Sequence, residues 1–222
     1  MARPVFFVIE SIIYSFILIL ECDQLTPFPV FNSVYTPLSL GLKLAAIFLC
    51  LCFTVSRKKS GWLLPAFFMT FMADFCFLFL NQNLAGVVCF LCVQLFYGRF
   101  LNMPVKSETA AAAAGISGLL IFSGLNKIPV DATALVASAY FALLIYHVYS
   151  AFRLRSPVLA YSLIMLIVCD FHTGLLNLPM YIPVYSLTSI WGSLLPLWIY
   201  FSPIILWAFY LPAEILLASE GT

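Results

Sequence analysis

Three ionisable side chains, Lys43, Asp74 and Asp170, each stand inside a long run of apolar residues. A charge left facing lipid costs at least about 3 kcal/mol, so these residues must face a polar interior. Two carboxyls in unequal surroundings hold their protons with unequal affinity, which supplies a general acid and a general base together. The same three residues could instead form a structural Asp-Lys-Asp ion network. They could also form the midway proton or cation site of a small transporter or lipid carrier. Gln94 and Tyr140 fall near the middle of their runs and can hydrogen-bond a ligand or another helix. Glu10 and Glu214 lie nearer run ends, where snorkelling or hydration accounts for them.

The elements that carry these groups follow from composition. The chain has 222 residues, 64% apolar and 9% charged, whereas a soluble domain is about half apolar and a quarter charged. The excess must face lipid, and no stretch remains for a separate soluble domain. A net charge of +1 with scattered basic residues leaves no electrostatic footprint for nucleic acid. A span needs about 20 mainly apolar helical residues, and turn signals cut the chain into eight such segments. They fall near 5–21, 36–55, 61–80, 84–101, 109–125, 131–152, 157–178 and 190–216. The first resembles a signal peptide but lacks a small-residue cleavage site before Glu21, so it is expected to stay as a span. The expected fold is a single all-α integral membrane domain over residues 1–222 with eight transmembrane helices.

Orientation follows from the loops. Arg3, Arg57, Lys58, Lys59, Arg99, Lys106, Arg153 and Arg155 all fall at the N-terminus or in even-numbered loops, and odd-numbered loops hold only Lys127. The positive-inside rule then puts both termini in the cytoplasm. At 1.5 Å per residue, both aspartates lie roughly 20 Å from the cytoplasmic ends of their helices, with Lys43 at a similar level. Asp74-Phe75 with Asn81 recurs as Asp170-Phe171 with Asn177, 96 residues on. This suggests two parallel four-helix repeats, 1–104 and 105–222, in which the aspartates correspond.

Other signals point to packing. Cys50-x-Cys52 and Cys89-x-x-Cys92 lie within spans, and no four ligands converge for zinc, so no metal is expected. Neither histidine, His147 or His172, has a partner for heme ligation, and the last span has no Lys for a retinal, so no cofactor is expected. His147 suits an interfacial or packing role. Gly115-Ile116-Ser117-Gly118 with His172 resembles the serine dyad of rhomboid intramembrane proteases. The preceding run Ala110 to Ala114 suits close helix packing, and other rhomboid features are missing.

Several short motifs together resemble the YhhN-like lysoplasmalogenase family. They are Thr36-Pro37-Leu38-Ser39-Leu40, Phe71-Met72-Ala73-Asp74, Phe90-Leu91-Cys92-Val93-Gln94-Leu95-Phe96-Tyr97, Ala160-Tyr161-Ser162-Leu163, Val168-Cys169-Asp170, and Ala208-Phe209-Tyr210-Leu211 with Glu214. The chain would be a divergent member. Thr36 stands for a usual Lys, Gln94 for His, Glu214 for Gln and Cys169 for Ser, while both aspartates match. The resemblance implies hydrolysis of the vinyl ether bond of lysoplasmalogens, single-chain ether lysophospholipids, to a fatty aldehyde and a glycerophospho-head group. Asp74 and Asp170 would be the catalytic acid and base, with Lys43, Gln94, Tyr97, Tyr140 and Glu214 in supporting roles.

Overall fold

A computed structural model describes residues 2–25, 35–56, 61–181 and 194–220. The described residues are helical, without strands. The helices are α1 (Arg3–Gln24), α2 (Tyr35–Val55), α3 (Leu63–Phe75), α4 (Asn83–Phe100), α5 (Val105–Asn126), α6 (Ala132–Arg153), α7 (Pro157–Asn177) and α8 (Leu194–Glu220). Eight segments are long and apolar enough to cross a membrane, which is consistent with a multi-pass membrane protein. Where described, their bounds lie within about four residues of those expected from the turn signals. The expected start of the last span, at 190, lies outside the described residues.

Local chemistry explains the helix ends. Asp131 accepts the Ala134 N–H at 2.7 Å and caps α6. Asn81 and Lys127 stop the helices before them by turning left-handed, with φ of 53° and 55°. Pro212 inside α8 cannot donate a backbone hydrogen bond to the Ala208 carbonyl one turn back. Tyr14 of α1 supplies it, with Oη 3.2 Å from that oxygen. Directly after Asp74, α3 widens into a π-helical turn over Cys76–Leu80, a distortion frequent at functional sites.

Helix neighbours define the bundle. In space α2, α3, α4, α6, α7 and α8 follow one another around a closed ring. Outside it, α1 packs on α2 and α8, and α5 packs on α6. Gly115 lets α5 approach closely, since a Cβ there would meet the Ser138 carbonyl at 2.5 Å. Val8, Ile12, Phe16 and Ile19 line the open side of α1, and Ile121, Phe122 and Leu125 that of α5. Such faces suit lipid rather than water.

Candidate active site

The ring holds a partly open cavity of about 300 Å³ lined by α3, α4, α6, α7 and α8. Asp74 and Asp170 both line it. The rest of the wall is largely apolar and includes Phe77 and Leu78 of the π turn, Val87, Phe90, Phe141 and Leu206. Gly86 makes room for the Phe77 ring, whose atoms lie as close as 2.5 Å to where a Cβ would stand.

Each carboxyl is held by a phenol. Tyr210 Oη donates to Asp74 Oδ2 at 2.7 Å, and Tyr140 Oη donates to Asp170 Oδ2 at 2.5 Å. Among the described residues no hydrogen bond reaches Oδ1 of either, which leaves that oxygen for a ligand or water. The two surroundings are alike in having one phenol each but differ in detail. Asp74 is 6% exposed and takes its phenol from the last helix, whereas Asp170 is half-buried and takes its phenol from the preceding helix.

The other expected site residues scatter. Tyr140 lines the cavity. Lys43 does not join the aspartates: its Nζ lies 2.5 Å from Glu21 Oε1 of α1 and 4.6 Å from the centre of the Trp207 ring, a cavity wall. The Asp-Lys-Asp layer is therefore divided, because α1 presents a carboxylate nearer to Lys43. Gln94 is buried away from the cavity, with Oε1 2.9 Å from His147 Nδ1. His147 Nε2 in turn lies 3.3 Å from Glu108 Oε1, and Arg99 pairs with Glu108 Oε2. Both Gln94 and His147 thus tie α4, α5 and α6 together. Tyr97 and Glu214 sit behind the cavity at 0% and 1% exposure, and Glu10 is 0% exposed. The expectation that Glu10 and Glu214 reach water is overturned, since neighbouring helices cover both.

Ser117 and His172 are not brought together. Ser117 is on the exposed face of α5, and His172 bonds Ser202 Oγ at 2.9 Å and stacks on Trp198. Tyr210, Trp207 and Glu21 escaped the candidate set drawn from the sequence. Tyr210 and Trp207 share with Glu214 the 3–4 residue spacing of one helix face, the one signal that could have found them.

No family model, curated protein or solved structure matches this chain.

Proposed function

We propose that this protein hydrolyses the vinyl ether bond of lysoplasmalogens within the membrane, with Asp74 and Asp170 as acid and base. The observation that carries the reading is the pair of carboxyls in one largely apolar cavity, each held by its own tyrosine. Vinyl ether hydrolysis begins when an acid protonates the alkene carbon and leaves an oxocarbenium-like centre next to oxygen. The second carboxyl takes a proton from water as that water attacks the centre, giving a hemiacetal. In the collapse, the first carboxylate accepts the hemiacetal O–H proton and the second carboxyl protonates the departing glycerol oxygen. Aldehyde and alcohol leave, and both aspartates return to their starting states.

Pockets for small molecules span about 300–1,000 Å³, so this one suits the reacting end of a single-chain lipid. Phe77, Val87, Phe90 and Phe141 would line the first part of the alkenyl chain. The reading requires no metal or cofactor. Asp74→Asn and Asp170→Asn, made separately, are each expected to lower aldehyde release from a vinyl-ether lysolipid in detergent by at least about a thousandfold. Parental turnover by either folded variant would sink the two-aspartate mechanism.

The distribution of basic residues supports a cytoplasmic position for both termini. A cysteine at Asn102 that reacted with impermeant reagent from outside intact cells would contradict this. A duplication into halves 1–104 and 105–222 is supported by the ring, which takes α2 to α4 from one half and α6 to α8 from the other and leaves α1 and α5 outside.

A further inference from the structure

Four side chains with no part in that chemistry form a second polar group. Glu10 of α1, Cys50 of α2, Tyr97 of α4 and Glu214 of α8 are all essentially without exposure. The Cys50 thiol donates to Glu10 Oε1 at 3.7 Å. Glu10 Oε2, Tyr97 Oη and Glu214 Oε2 are buried with no hydrogen-bond partner among the described residues. Buried polar atoms in this condition are ordinarily joined by ordered water. Neither glutamate forms an ion pair with a described residue.

Their depth lies between the end of the bundle and the cavity. Counting along the helices, Glu10 and Glu214 lie about 10 Å inside the end where α1 begins and α8 finishes. Asp74 and Asp170 lie about 17–20 Å from the starts of α3 and α7. Glu214 is within electrostatic reach of Cys50 and Tyr97 on one side and of both aspartates on the other. One turn along α8 stands Tyr210, whose phenol already donates to Asp74. Among the described residues the titratable groups near Glu214 are therefore Cys50, Tyr97, Asp74, Tyr210, Asp170 and Cys169, with Glu10 on the other side of Cys50, none of them a cation.

We propose that Glu10, Cys50, Tyr97 and Glu214, joined by ordered water, form a proton path between this end of the bundle and the Asp74–Asp170 cavity. In its last step Glu214 releases a proton through water to Tyr210 Oη, while the hydroxyl proton of Tyr210 passes to Asp74 Oδ2. Tyr210 ends neutral, Glu214 becomes a carboxylate and Asp74 an acid; the reverse hop discharges Asp74. The path does not depend on the hydrolase reading, because any process that changes the charge of these aspartates must move a proton to them.

The test uses the full chain in lipid nanodiscs, transferred from H2O to D2O while its carboxyl C=O bands are followed by infrared spectroscopy. Bands missing from Asp74→Asn and Asp170→Asn identify the cavity aspartates. In Glu214→Gln and Glu10→Gln those bands are expected to exchange at least about tenfold more slowly, with Glu214→Asp faster than Glu214→Gln. Exchange at the parental rate in folded Gln variants overturns the path. Should either fail to fold, Tyr97→Phe removes a single oxygen: slowed exchange supports the path, and an unchanged rate overturns it. No substrate is present, so the result stands apart from whether vinyl ethers are cleaved.

Discussion

The phenol of Tyr210 donates a 2.7 Å hydrogen bond to Asp74 from a residue 136 positions away in the chain. It fixes one oxygen of a carboxyl that lines the cavity, so its removal should affect chemistry more than folding. A hydrogen bond to a charged group is worth about 1.5–3 kcal/mol, or roughly 10- to 100-fold in rate. Tyr210→Phe is expected to lower vinyl-ether turnover by that range with little change in melting temperature. A variant as active as the parent would remove the phenol from the mechanism.

Cavity width is open to a single methyl group. A Cβ at Gly86 would meet three atoms of the Phe77 ring at 2.5–2.7 Å, and that ring, at the end of a flexible side chain, also walls the cavity. Gly86→Ala should push the ring into the space the lipid chain would use. The expected readout is a KM for long-chain lysolipid raised about tenfold, with a smaller change for a short-chain analogue. Equal effects on the two chain lengths would contradict a chain-binding role for this wall.

The α4–α5–α6 network depends on a missing side chain. At Gly98 a Cβ would overlap Glu108 Oε1, so Gly98→Ala must expel Glu108 from between Arg99 and His147. Arg99 is partly exposed, so losing its bond to Glu108 together with the His147 contact should cost about 1.5–3 kcal/mol. Gly118→Ala, where a Cβ meets open space, should change stability by less than about 1 kcal/mol. Reversible unfolding in mixed detergent measures both, and similar values for the two would refute the account of Gly98.

Lys43 and Glu21 make a separable test. Lys43→Leu leaves the Glu21 carboxylate, 3% exposed, without its ammonium and should cost about 3–5 kcal/mol. Leu at both positions should recover most of that loss. If the double variant is no more stable than Lys43→Leu, the ion pair is not what makes the single change costly.

The amino-acid sequence by itself determined the number of long apolar helices, their approximate ends and the position of each aspartate along its helix. A bilayer demands about 20 apolar residues per crossing, and each residue adds 1.5 Å along a helix, so depth can be counted from the turns. Only the tertiary structure decided which way each side chain faces and what it meets. Successive residues are turned by about 100° around a helix, and in lipid the outer and inner faces are both apolar, so hydrophobicity does not mark the side that packs. Equal depth therefore grouped Lys43 with the aspartates, whereas packing gave it Glu21. The same count set Glu10 and Glu214 near water, and the helices folded over them. The two aspartates fared differently: packing placed them on one cavity and added the tyrosine that holds each of them.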